Sequence, residues 1–210
     1  MNNQVLKYLP TLGMWSVAIV LLVFIERLSV HRYLWGRNML IFAQGLRGLW
    51  SDRIFALVTW AGSLFILVPA SAVSIAFLLR KGRAAEAGLL GLSLAGIALF
   101  SRLAKLWFAR PRPNLFPIIG EIPLDASYPS AHTAQIVAFV VTVGWIMKPD
   151  KLGFGYFFMS WVAFLLVAAV AYSRIHLQVH FPSDVLGGAL LGLLWVMGLV
   201  HLLHNIGIVK

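Results

Sequence analysis

The sequence predicts an all-α, polytopic membrane protein with six transmembrane helices and an interfacial amphipathic segment between the first two. Composition is the first observation: 60% of the 210 residues are hydrophobic and 11% charged, whereas soluble domains run at about 45–50% apolar and about 25% charged. The mean hydropathy of +0.87 is the second. The third is that the apolar residues gather into six runs, most of them near the roughly 20 residues that cross a bilayer as a helix.

In order, the runs are Tyr8 to Ile25, Ile54 to Leu79, Ala87 to Ser101, His132 to Met147, Phe154 to Tyr172 and Val185 to Leu203. The first has one early cation, Lys7, no small-residue cleavage site, and ends at Glu26-Arg27, so a retained helix is expected and not a removed leader. Between runs one and two, Val30 to Arg53 interleaves Leu34, Trp35, Leu40, Phe42, Leu46, Leu49 and Trp50 with Arg32, Arg37, Gln44, Arg47 and Arg53. That mixture suits a helix lying in the membrane interface, although a plain basic loop with scattered aromatics is also compatible. Pro69 suggests a kink in the second span, which neighbouring helices can accommodate. The third and fourth runs are short, and they reach spanning length if flanking residues such as Arg102 and Lys105 extend toward the interface. Ala87, Gly91 and Ala95, and likewise Gly188 and Gly192, have the small-xxx-small spacing of close helix packing. Residues 1–210 read as a single membrane-embedded domain.

The formal charge of +10 points to anionic partners. Nucleic acid is conceivable on charge alone, but these cations sit between membrane spans, so lipid phosphate is the expected partner and nucleic acid is not. Alternating spans place the loops after spans one, three and five on one face, where all the motifs below fall. Ten Lys and Arg lie there against seven opposite, namely Lys7, Arg80, Lys81, Arg83, Lys148, Lys151 and Lys210. Setting aside Lys105, Arg112 and Arg174, the candidate anion-binding residues of those motifs, leaves seven against seven, so the positive-inside rule does not decide the topology. The chain has no cysteine, which excludes disulfides, thiolate metal sites and a cysteine nucleophile.

The loop after span three reads Lys105-Leu-Trp-Phe-Ala-Arg110-Pro-Arg112-Pro113 and closes with Ser127-Tyr-Pro-Ser130-Ala131-His132. Pro111 and Pro113 force it off the helix, so Lys105 and Arg112 can reach one anion from different directions, as a point charge and a planar fork. Contacts with lipid head groups would explain the same cations. Ser130 and the backbone N–H groups that follow begin a helix, where oriented donors favour an anion; Ser130 as a simple N-cap is the plainer alternative. His132 lies one turn into an apolar span, a costly place for an ionisable group without a role.

The loop after span five packs Arg174, His176, His180 and Asp184 into eleven residues. A carboxylate that fixes an imidazole tautomer sharpens its other nitrogen, and His180 with Asp184 could form that pair, although Pro182 prevents a regular i, i+4 helical pairing. His176, His180 and Asp184 also imitate metal-ligand spacing. Pro182 disturbs that geometry too, and three nearby cations oppose a divalent ion. Few other carboxylates lie on this face: Glu26, Asp52, Glu121 and Asp125.

These three segments together, Lys105 with Arg112-Pro113, Pro129-Ser130-Ala131-His132, and Ser173-Arg174 with His180 and Asp184, resemble the signature of the type 2 phosphatidic acid phosphatase superfamily. One departure is visible: Ala131 stands where the pattern usually has glycine. The resemblance implies metal-independent hydrolysis of a phosphate ester or anhydride in two steps. His180 is then the nucleophile that becomes phosphohistidine, Asp184 orients and balances it, and His132 protonates the leaving oxygen. Lys105, Arg112, Ser130, the Ala131 amide and Arg174 hold the phosphate oxygens, and neither a cofactor nor a metal is required. Phosphoryl transfer needs mainly positioning and fixed positive charge, which agrees with such a set.

His31, His201 and His204 match no motif and read as interfacial, while His176 is a pocket-lining candidate. The expected substrate is a membrane lipid phosphate or diphosphate, first undecaprenyl diphosphate, then phosphatidylglycerol phosphate or phosphatidic acid, then lipid A. By analogy with bacterial relatives the site faces the periplasmic side of the inner membrane. An anion-binding or transport protein and a vanadate-using peroxidase are the other classes compatible with the anion pocket.

Overall fold

The computed structural model describes residues 8–31, 33–120, 123–149 and 153–209. Lys7, Arg32, Glu121, Lys151 and Lys210 lie outside the described residues, as do the side chains of Val30, His31, Leu34 and Trp35. Among the described residues the regular structure is helical throughout. The elements are α1 (Leu9–His31), α2 (Tyr33–Gly45), α3 (Leu49–Val58), α4 (Leu64–Arg80), α5 (Ala84–Phe108), α6 (Ala131–Ile146), α7 (Phe154–His176) and α8 (Pro182–Asn205), with a 3-10 turn, Thr59–Gly62, between α3 and α4.

Four of these, α1, α5, α7 and α8, are long and apolar enough to cross a membrane, and α3 with its 3-10 turn and α4 form a fifth candidate bent by 45°. Helix α6 is apolar but has only 16 residues. Large apolar side chains such as Leu57, Phe65, Trp107 and Phe154 are exposed on the outer faces, as lipid in place of water as solvent requires. The chain is an integral membrane protein.

The third run reaches spanning length through its flanks, as expected: α5 continues through Arg102 and Lys105 to Phe108, because long cationic side chains lie along a helix without ending it. It stops where Ala109 turns left-handed, at φ 46°, ahead of Pro111. The expected kink at Pro69 is displaced. Helix α4 runs through Pro69, and the break sits upstream at Ser63. The break falls on a Gly-Ser pair, and Gly62 has no room for a side chain: a Cβ there would come within 2.7 Å of Val170 Cγ1 and 2.8 Å of the His132 carbonyl oxygen.

Residues Leu94 and Ile97 of α5, Ala134 and Ala138 of α6, and Leu191 and Val196 of α8 share the central apolar core. Gly188 and Gly192 let α8 approach α6, where added methyls would strike the Ser130 and Ala134 carbonyl oxygens. Of the Ala87, Gly91 and Ala95 series, Ala87 is buried in the cluster with Leu78, but Ala95 is exposed and a Cβ on Gly91 would meet Ile75 at an ordinary 3.7 Å, so close approach is not shared by all three. Gly96 does that work on α5, receiving the Trp195 ring. Helix α2 buries Leu40 and Ala43 against Ile175 and Phe181 at the α7–α8 junction, while Ile41, Phe42 and Leu46 remain exposed.

Expected outcome: Gly188→Ala forces the α6–α8 contact apart beside Ser130 and lowers stability in detergent by about 1–3 kcal/mol, the usual cost of overpacking. A lowered thermal midpoint checks it, with Gly144→Ala, where nothing lies within 4 Å of a new Cβ, as the control.

Candidate active site

Four helix ends and two loops converge at one end of the bundle: the C-termini of α5 and α7, the N-termini of α6 and α8, and the segments that join them. Backbone bonds stitch the loops together, from Ser130 N–H to the Asp184 carbonyl (2.9 Å), Ser127 N–H to the Arg110 carbonyl (2.8 Å) and Ile119 N–H to the Leu177 carbonyl (3.2 Å). Stretches far apart in the chain thereby present their polar side chains to one another.

At the centre is Asp184, fully buried in the first turn of α8. Its Oδ1 accepts from Arg110 Nη1 at 2.9 Å, and its Oδ2 accepts from the Ser127 hydroxyl and from the Phe181 backbone N–H at 2.8 Å. Pro182 does not separate His180 from Asp184. It starts the helix at its first position, and His180, just outside, turns Nδ1 to within 3.3 Å of Asp184 Oδ2.

The other ring nitrogen, Nε2, lies 3.3 Å from Arg112 Nη1. A guanidinium can only donate, so Nε2 is the acceptor and the ring proton resides on Nδ1, facing the carboxylate. Two neighbours thus fix one tautomer, with the Nε2 lone pair turned toward the cations. Burial, followed by the charges of Arg174, Arg112 and Lys105, holds this imidazole well below its ordinary range, against the pull of Asp125.

Arg112 also donates to the Val179 carbonyl at 2.7 Å, and Lys105 to the Ala126 carbonyl. Arg174 is anchored by Nη1 on the Thr59 hydroxyl at 2.6 Å, while its buried Nε lacks a hydrogen-bond partner among the described residues. Such an orphan donor is what an incoming oxyanion would satisfy. His132, in the first turn of α6, lies close enough to Arg174, His180, Lys105 and Arg112 for their charges to act on it. Ser130 occupies the cap position of α6 without a side-chain capping bond; its hydroxyl accepts from Thr133 at 3.0 Å. The first-turn N–H groups therefore have no side-chain cap. Ala131 begins the helix and is not among the residues with positive φ, so the absent glycine imposes no strain.

All eight motif residues are thus brought together. His176 is not with them: its buried ring bonds Asp52 Oδ1 at 2.8 Å and packs on Phe55, so it ties α7 to α3. His176, His180 and Asp184 therefore do not share a centre, and among the described residues no group of three His, Asp or Glu is placed to hold a metal ion. Four polar residues of the cluster had no role assigned from sequence: Arg110, Ser127, Asp125 and Thr59. Arg110 and Ser127 stand inside the quoted motif segments, the one signal that could have pointed to them.

A family model described as the PAP2 superfamily matches residues 86–208. Phosphatidylglycerophosphatase B of Bacillus subtilis is 29% identical over 160 residues, covering 71% of this chain and 73% of that protein. Undecaprenyl-diphosphatase of Sulfolobus acidocaldarius is 27% identical over 155 residues, covering 71% and 68%. Among solved structures, that of a transmembrane PAP2-type phosphatidylglycerolphosphate phosphatase from Bacillus subtilis superposes with a TM-score of 0.78 over 93% of this chain and 96% of that chain, at 24% identity. This last likeness is one of fold.

Expected outcomes: Arg110→Ala leaves the buried Asp184 carboxylate without its cation and costs roughly 3–5 kcal/mol, read as a lowered thermal midpoint together with lost activity. Because the folded protein refuses a proton that the unfolded chain takes up on His180 near pH 6.5, stability falls as pH drops through and below that value. His180→Gln should flatten this acid slope in a pH series of thermal midpoints.

Proposed function

This chain belongs to the PAP2 superfamily and is a lipid phosphatase, and from that premise we propose that it hydrolyses a membrane lipid phosphate or diphosphate, without a metal, through a phosphohistidine on His180. The observation that carries the proposal is the fixed tautomer of His180, with Nδ1 on Asp184 and Nε2 turned toward Arg112.

In the first step His180 Nε2 attacks phosphorus, the bond to the leaving oxygen breaks, and His132 gives that oxygen its proton. Asp184 balances the imidazolium that forms. In the second step water attacks the phosphorus of the phosphohistidine, His132 takes the proton from the water, and the P–N bond breaks to release inorganic phosphate and neutral His180. Lys105, Arg112, Arg174, the Ser130 hydroxyl and the Ala131 N–H surround the equatorial oxygens. Fixed donors in a largely buried site need no reorganisation as charge spreads in the transition state.

The substrate proposed first is undecaprenyl diphosphate, the substrate named for the Sulfolobus acidocaldarius relative. Phosphatidylglycerol phosphate is the second, in line with the name of the Bacillus subtilis relative. Lipid A and phosphatidic acid share the same head-group chemistry. We place the protein in a bacterial inner membrane as one domain of six spans: the four long helices, the bent α3–α4 pair, and α6 despite its length. In this arrangement α2 lies in the interface and the site opens on the periplasmic side, where a head group reaches the cations while its tail stays in lipid.

Expected outcome: detergent-purified protein releases phosphate from a panel of these lipids at the same rate with and without EDTA, and His180→Ala abolishes release. Loss of all activity in EDTA, or wild-type turnover by His180→Ala, contradicts the mechanism.

A further inference from the structure

One carboxylate in the cluster has no part in the chemistry above. Asp125 lies on the irregular segment before α6 and divides its oxygens between two of the phosphate-binding cations. Its Oδ2 is 3.0 Å from Lys105 Nζ, and its Oδ1 is 2.5 Å from Arg112 Nη2. A carboxylate held in this way copies two oxygens of a phosphate.

The partners are unequally fixed. The Lys105 and Arg112 side chains are only 6% and 11% exposed, whereas Asp125 is 56% exposed. Both cations keep other bonds, Lys105 to the Ala126 carbonyl and Arg112 to the carbonyls of Val179 and Asp125. The cations are built into the wall of the site, and the carboxylate is the member that can leave. Although burial works against it, Lys105 and Arg112 hold the Asp125 carboxyl below the usual carboxylate range, so the group is an anion wherever the protein is folded at neutral pH.

We propose that Asp125 is an internal anion that occupies the phosphate seat until substrate displaces it. This exchange selects terminal phosphate groups with two negative charges over the singly charged phosphodiesters of bulk membrane lipid. The proposal rests on the reading that Lys105 and Arg112 bind substrate phosphate.

Its physical basis is a difference of charges. A phosphodiester that replaces the carboxylate exchanges one unit of negative charge for another and gains little. A terminal phosphate or diphosphate places extra negative charge among Lys105, Arg112 and Arg174, where opposite charges a few ångströms apart interact strongly. In a membrane this matters, because phosphodiester head groups lie at the same depth as the substrate. Three uncompensated cations would hold them, and a built-in competitor rejects them while admitting the more highly charged ligand. Asp125 also relieves repulsion among the cations when the seat is empty.

The test measures competitive inhibition of lipid-phosphate hydrolysis by inorganic phosphate, and by phosphatidylglycerol in mixed micelles, in the intact protein and in Asp125→Asn, Asp125→Ala and Asp125→Glu. For Asp125→Asn and Asp125→Ala the inhibition constant for phosphate should fall roughly tenfold, and phosphatidylglycerol should become a competitive inhibitor. Asp125→Glu, which keeps the charge, should behave like the intact protein. Two variants with different side chains protect the test against one that fails to fold. Inhibition constants unchanged or raised in the neutral variants would overturn the proposal and make Asp125 a mere support for the two cations. Phosphate inhibition that survives Lys105→Ala and Arg112→Ala unaltered would instead overturn the underlying assignment of the phosphate seat, a separate and recognisable result.

Discussion

A carboxylate with no access to water keeps its charge only if cations and hydrogen-bond donors surround it; otherwise it takes up a proton. Asp184 is that group here, and the rest of the site depends on how it is satisfied. Its partners come from two places: Arg110 and Ser127 from the segment between α5 and α6, and His180 and the Phe181 N–H from the short loop between α7 and α8. Meeting the needs of one ion therefore docks two loops and fixes the ring that the chemistry uses. The close approach of α8 to α6 at Gly188 and the seating of the Tyr128 ring against Gly187, with its hydroxyl on the Leu22 carbonyl at 2.8 Å, serve the same junction.

Around that anchor the cations are held by different means. Arg174 is clamped by Thr59 from the bend between α3 and α4, and Gly62 of the same 3-10 turn lies against His132. The matched family region begins at residue 86, so this turn contributes to the site from outside it. A second tie, from Asp52 to His176, joins α3 to the end of α7 just beyond Arg174. The amino-terminal third of the chain thus supports the site as well as crossing the membrane.

Much of this was legible in the sequence, and the boundary of legibility has a physical cause. The eight motif residues could be singled out because their spacing in three short segments resembles a family signature, and local spacing also sets which of them share a helix end: Lys105 ahead of a proline-bounded stop, Ser130 to His132 at a helix start, Arg174 and Asp184 flanking one loop. The apolar runs likewise marked the helices, since burial in lipid leaves no other use for them. What could not be read were contacts between residues remote in sequence: Arg110 and Asp184 are 74 residues apart, Ser127 and Asp184 57, Thr59 and Arg174 115. The break in the second span is in part local: it falls on Gly62-Ser63, the kind of pair at which helices kink, and Gly62 also meets α6 and α7 with no room for a side chain.

The most direct measurement is a structure of the protein with orthovanadate, which takes the five-coordinate geometry of phosphoryl transfer. The account predicts vanadium within bonding distance of His180 Nε2, His132 on the opposite apical oxygen, Lys105, Arg112 and Arg174 on the equatorial oxygens, and Asp125 swung away. Vanadate bound elsewhere, or seated there with His180 Nε2 turned aside, would contradict it.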